Sequence, residues 1–89
     1  MSPEPVLLIT GASSGIGAAT ARAAVQAGYR VVLAARREQR LQQLCEELGG
    51  SRRALAVPGD VTEWDDQRSF VASAVEHLGR VDAVMANAG

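Results

Sequence analysis

Four short apolar runs punctuate the chain: Val6-Leu7-Leu8-Ile9, Val31-Val32-Leu33-Ala34-Ala35, Ala54-Leu55-Ala56-Val57 and, more weakly, Asp82-Ala83-Val84-Met85-Ala86. Their hydrophobic residues are consecutive rather than alternating. That pattern fits strands covered on both faces, as in a parallel sheet. Between the runs the rhythm becomes helical. The first helix is expected from about Gly15 to Ala27, with Ile16, Ala19, Ala23 and Ala27 as its buried side and Gly28 as its stop. The second is expected from about Glu38 to Leu48, where Leu41, Leu44, Cys45 and Leu48 form an i, i+3, i+4, i+7 stripe ended by Gly49-Gly50. The third is expected from about Glu63 to Leu78. Thr62 is its expected N-cap, and Glu63, Asp65 and Asp66 suit the positive end of the helix dipole. Val71, Ala74, Val75 and Leu78 are its expected apolar stripe, and Gly79 closes it.

The resulting order, β-α-β-α-β-α-β, predicts an α/β fold. Right-handed crossovers would build a doubly wound parallel sheet with four strands in spatial order 3-2-1-4 and three helices. At 89 residues the chain is one small domain or part of one, since domains run to roughly 100–200 residues. No apolar run approaches the ~18 residues that span a bilayer. The start, Met1-Ser2-Pro3-Glu4-Pro5, has no basic segment of the signal-peptide kind and reads as a frayed lead-in. A net charge of −1, from 9 basic and 10 acidic side chains, argues against a general nucleic-acid or membrane-surface role. Cys45 is the only cysteine, so no internal disulfide and no Cys/His metal cluster is expected, and a reducing cytoplasm is the default location. Its place between Leu44 and Leu48 makes it a small packing residue rather than a reactive thiol.

The chemistry concentrates in Thr10-Gly11-Ala12-Ser13-Ser14-Gly15-Ile16-Gly17, directly after the first strand and at the opening of the first helix. Gly11 suits the tight turn out of the strand. Gly15 lets a phosphate approach the backbone, and Gly17 lets the helix lie against the sheet. Unpaired N–H groups at the helix start, aided by its dipole, attract a pyrophosphate, and Ser13 and Ser14 can add hydroxyl donors. Ile16 belongs to this turn as a contact residue as well as to the helix stripe. A P-loop is excluded, because its Lys-Ser/Thr ending is missing and every basic residue of the chain is Arg.

The spacing Thr-Gly-x-x-x-Gly-x-Gly resembles the signature of the short-chain dehydrogenase/reductase family. Three further segments match in register: Ala35-Arg36-Arg37 after the second strand, Gly59-Asp60-Val61 after the third and Asn87-Ala88-Gly89 after the fourth. The resemblance covers the whole chain. It implies that residues 1–89 are the N-terminal part of one Rossmann-type NAD(P)-binding domain. The implied activity is hydride transfer between a nicotinamide cofactor and a small carbonyl or alcohol substrate.

The end of the second strand bears on which cofactor. A carboxylate there would accept from a ribose 2′-hydroxyl and select NAD. The chain has Ala35 instead, followed by Arg36 and Arg37, whose planar donors suit a 2′-phosphate. Cations at a helix start are electrostatically unfavourable without an anion. NADP is therefore expected and NAD is the second choice, with Arg36 the stronger candidate. The resemblance implies that Asp60 and Val61 meet the adenine and that Asn87, Ala88 and Gly89 pass the cofactor ribose. Many members carry Asn-Asn-Ala-Gly there, and Ala86 stands in place of the first Asn.

His77 reads as a surface residue, Trp64 as packing at the start of the third helix, and Tyr29 as the beginning of the second strand. The resemblance implies a catalytic Ser and a Tyr-x-x-x-Lys pair, and no residue of this chain fills those roles, so no catalytic residue is assigned. The expectation is a fragment whose last strand offers a bare apolar edge at Val84 and Met85, prone to self-association. The alternatives are a non-catalytic nucleotide-binding module and an inactive truncated remnant.

Overall fold

A computed structural model of the chain describes residues 4–12, 15–59 and 63–86, with the side chains of Ser51 and Trp64 outside the description. Its elements run β1 (Val6–Thr10), α1 (Gly15–Gln26), β2 (Arg30–Ala35), α2 (Glu38–Glu47), a 3-10 turn (Gly50–Arg52), β3 (Ala54–Pro58), α3 (Trp64–Leu78) and β4 (Ala83–Ala86). The strands form one parallel sheet in the order β3-β2-β1-β4. Leu8 of β1 lies level with Val32 of β2 and Val84 of β4. Fold class and strand order are those the hydrophobic pattern predicts.

Both faces of the sheet are covered, which is why the strand sequences are continuously apolar. One face packs Ile9, Val31, Leu33 and Ala35 with Ala21 of α1 and with Leu41, Leu44, Cys45 and Leu48 of α2 and its C-cap. The opposite face packs Val6, Leu8, Val32 and Ala34 with Phe70 and Ala74 of α3. Successive β2 residues thus alternate between two cores, as the two-residue period of a strand requires. All four positions of the α2 stripe are buried as expected. Burial also pushes the Cys45 thiol up in pKa, which keeps it protonated and unreactive.

Two stripes differ from expectation. In α1, Ile16, Ala19, Ala23 and Ala27 are exposed, with Ile16 at 68%. The buried residues are Gly17 and Ala21, with Ala18, Ala24 and Val25 packed beside them. Nearly every residue of this helix is small or apolar, so hydrophobicity alone leaves its rotation undetermined. The marks of its solvent face are the polar pair Arg22 and Gln26, both exposed. In α3, Val71 and Val75 are 42% and 49% exposed, and the packed side is Phe70 and Ala74 with Leu78 partly buried. The expected stripe lies one position off on two of its four members. The ring of Phe70, the largest fully buried side chain among the described residues, sets the rotation instead.

The helix ends are also informative. Glu63 is the N-cap of α3, one residue beyond the expected Thr62, and makes no side-chain cap bond; Thr62 itself lies outside the described residues. Gly79 ends α3 at φ +84°, and its N–H donates to the Val75 carbonyl at 2.9 Å. A left-handed residue there lets the chain turn back towards β4 without a Cβ clash. Tyr29 directly precedes β2 rather than beginning it. Val84 on the outer strand is 58% exposed, whereas Met85 is partly buried against the core on the α1–α2 side, so the apolar edge is narrower than expected.

Asp82 fastens the lower end of the sheet. The Val6 N–H donates to its carboxylate at 2.8 Å, and the Asp82 N–H donates to the Val6 carbonyl at 2.9 Å. The Arg80 guanidinium beside it, together with the Val6 N–H, holds its carboxyl below the usual carboxylate range.

Candidate functional site

In parallel strands all C-terminal ends lie at one edge of the sheet, and the helices that follow begin there. The order β3-β2-β1-β4 places a reversal at β1, where one connection goes towards β2 and the chain later returns on the other side as β4. Ligands of such sheets bind in the crevice outside the strand ends at this reversal. The glycine turn leaves β1 at that place.

Gly11 has φ +67°, a conformation that L side chains rarely adopt, so the turn out of β1 requires glycine. Ala12 is fully buried, and its N–H donates to the Ala34 carbonyl at 3.2 Å. The chain is thereby tied across the end of β2 before it turns into α1. Gly15 opens α1 on the exposed side, and among the described residues no atom beyond its own helix backbone and chain neighbours lies within 4 Å of where a Cβ on it would stand. Gly17 is buried. No acidic residue occupies the first turn of α1, so the partial positive charge of the helix start is not neutralised from within. The main chain of this helix start therefore has room for an anion, and the residues present fit a pyrophosphate.

Arg36 and Arg37 follow directly on β2 at the same edge, and both are exposed. Arg37 is the N-cap of α2 with an extended backbone, φ −90° and ψ 94°, and makes no side-chain cap bond. The chain leaving β3 is pinned close by, because the Gly59 N–H donates to the Ala35 carbonyl at 2.9 Å. Gly59 also answers a packing demand that its motif hides. A Cβ there would stand 2.7 Å from Cε1 of Phe70 and 3.4 Å from Oδ2 of Asp66.

Of the thirteen residues singled out as cofactor contacts, Gly11, Gly15, Ile16, Gly17, Arg36 and Arg37 are thus gathered at one edge. Ser13, Ser14, Asp60, Val61, Asn87, Ala88 and Gly89 lie outside the described residues. Ile16 faces outward beside Gly15 at this edge, so its exposure contradicts the helix-stripe role and leaves it open to a ligand. His77 is exposed in the last turn of α3, where its Nδ1 lies 2.9 Å from the Ser73 carbonyl oxygen.

A cleft of about 290 Å³ lies between α1 and α2, outside the motifs that the sequence marks. Its described lining is Ala12 of the glycine turn, Ala18 and Arg22 of α1, and Arg40, Gln43, Leu44 and Glu47 of α2. The available signal was the third arginine of the Arg36, Arg37, Arg40 set, crowded at the positive end of α2. No helix of the described residues is long and apolar enough to cross a membrane.

Comparison with known proteins agrees with this geometry. A family model described as short chain dehydrogenase matches residues 5–89. An uncharacterised oxidoreductase of Listeria monocytogenes is 44% identical over 85 residues, covering 94% of this chain and 34% of the relative. A short chain dehydrogenase structure from Bacillus anthracis superposes with a TM-score of 0.87 at 32% identity, covering 96% of this chain and 34% of that one. A variant of actinorhodin polyketide ketoreductase, solved with NADPH, gives a TM-score of 0.87 at 38% identity, covering 97% of this chain and 33% of that one. The chain spans about a third of the length of these relatives. Matched from its first strand to its last residue, it belongs to the short chain dehydrogenase family.

Proposed function

We propose that the chain is the cofactor-binding part of an oxidoreductase and holds NADP(H) at the C-terminal edge of its sheet. The single observation that carries this reading is the open start of α1: Gly15 is exposed with empty space in its Cβ direction, four residues after a left-handed Gly11. The pyrophosphate would lie on those main-chain N–H groups. Arg36 and Arg37 would meet the 2′-phosphate, where their planar donors serve it better than a ribose hydroxyl. The NADPH bound to the ketoreductase neighbour supports the same preference. Ser13 and Ser14 would add donors to the pyrophosphate, Asp60 and Val61 would meet the adenine, and Asn87, Ala88 and Gly89 would pass the ribose. When bound, the nicotinamide supplies a hydride to, or takes one from, a small carbonyl or alcohol substrate. This chain's residues bind and orient that cofactor, and the groups that move the substrate proton would come from elsewhere in the enzyme. A cytoplasmic location accords with the lone buried thiol.

Calorimetric titration of the chain with NADPH and NADH tests this. NADPH is expected to bind more tightly. Arg36→Ala is expected to weaken NADPH by about tenfold or more, as charge-assisted hydrogen bonds contribute about 1.5–3 kcal/mol, and to leave NADH nearly unchanged. Tighter binding of NADH by the unaltered chain would overturn the choice of cofactor.

A further inference from the structure

Away from the glycine-turn edge, the large apolar side chains left exposed among the described residues are Val71, Val75 and Val84. All three lie on one side of the sheet. Val71 and Val75 belong to α3. Val84 is level with Leu8, whose side chain packs with Phe70 and Ala74 of that helix, and residues level with each other on paired strands point to the same face. Uncovered apolar surface gathered on one face marks an interaction surface, whereas scattered single residues do not.

On α3 this surface is ordered. Val71, Ala72 and Val75 follow Arg68 at i+3, i+4 and i+7, which is one stripe of a helix, and Glu76 flanks it at i+8. All five residues are exposed. Gln67, Arg68, Val71 and Ala72 line a shallow hollow of about 440 Å³. Among the described residues neither Arg68 nor Glu76 has an ion-pair partner. Glu76 stands in the last turn of α3, where the helix dipole disfavours an acid.

Arg68 and Glu76 are equally far from Ala72 along the helix. We propose that a second copy of this chain docks on α3, with the two helices antiparallel about a twofold axis at Ala72. That axis brings Arg68 of each copy level with Glu76 of the other, so two opposite-charge pairs flank the contact. A patch that complements itself in this way is what a twofold interface requires. The apolar stripes of Val71 and Val75 meet between the pairs, and the small Ala72 at the crossing lets the helix axes approach to about 8 Å. The antiparallel arrangement also sets each Glu76 beside the first half of the partner helix, where the dipole favours it. Burial of the stripe supplies the attraction, and the charge pairs fix register and orientation. The inference is independent of the cofactor reading.

The test is a charge exchange read by sedimentation equilibrium on the whole chain, on Arg68→Glu, on Glu76→Arg and on the variant with both. Circular dichroism verifies that each is folded, which the exposure of both side chains favours. Each single substitution sets two like-charge pairs in the dimer and is expected to weaken it about tenfold or more. The double variant is expected to recover the dimer, and an equimolar mixture of the two single variants to form a mixed dimer, because every pair is again of opposite sign. As a second measurement, Ala72→Cys is expected to cross-link to itself under mild oxidation, since the axis sets the two copies of residue 72 side by side, while Cys45 is buried. A strictly monomeric chain would overturn the proposal. So would a dimer that neither single substitution weakens, which would put the contact elsewhere, such as the β4 edge, or single variants that stay monomeric when mixed.

Discussion

At Gly59 a single hydrogen atom separates a folded core from an overpacked one. The ring of Phe70 occupies the space that any Cβ would need, at 2.7 Å from Cε1, and that ring is itself held on all sides. Gly59→Ala is therefore expected to cost about 1–3 kcal/mol, the usual range for inserting a methyl group into a packed site. Urea denaturation of the two chains measures it, and an unchanged midpoint would mean that the ring moves aside freely. Asp82 makes a second residue-scale prediction. In the unfolded chain it takes up its proton in the ordinary carboxylate range, and in the folded chain only below it, because Arg80 and the Val6 N–H favour the ionised form. Between those values the unfolded state binds more protons. Its contribution to stability is thus complete above the ordinary range and is lost as pH falls through the lowered folded value. Glu47, lowered by Arg22, acts in the same direction. Thermal melts from neutral to acid pH should show Asp82→Asn with a smaller acid-induced fall than the unaltered chain.

At the scale of an element, α3 shows how one aromatic residue fixes a helix rotation. Turning the helix by one residue would bury Val71 and Val75 but would expose Phe70, which offers the larger apolar area to lose. The observed rotation places Ala74 at 0% exposure under the sheet and leaves Val71 outside. Ala74→Asp is accordingly expected to destabilise by several kcal/mol, since it buries an unpaired carboxylate. Val71→Ser is expected to stay within about 0.5 kcal/mol, like other surface changes. Chemical denaturation of Val71→Ser distinguishes this rotation from the Val71-inward alternative, in which that substitution would also cost well over 0.5 kcal/mol. In α1 the buried residues are the small Gly17 and Ala21, which lets the helix lie close to the sheet.

Across the whole molecule, the exposed large hydrophobic residues are Ile16, Val71, Val75 and Val84 among those described. Val84 lies on β4, whose one sheet neighbour among the described residues is β1. An apolar strand with an unpaired edge is a template for further pairing. A domain of this size also buries only about 60–65% of its unfolded surface, so little stability is in reserve. The 89-residue chain is expected to self-associate with increasing concentration, and Val84→Lys to reduce that association. Sedimentation equilibrium measures both, and a strictly monomeric chain over the accessible range would contradict the expectation.

The order of strands and helices, the parallel sheet and the glycine turn were all legible in the residues themselves. Runs such as Val31–Ala35 have no helical or alternating period, and Gly11 sits where only a residue without a Cβ can turn. Such signals are local, because backbone sterics and side-chain period act over a few residues. The tertiary structure decided what depends on neighbours distant in sequence: the rotation of α1 and α3 about their axes, the closeness of Gly59 to Phe70, and the cleft that forms between α1 and α2. Hydrophobicity ranks Val71 and Phe70 alike as inward candidates. Only the shape of the surface opposite, against which one packs and the other does not, separates them.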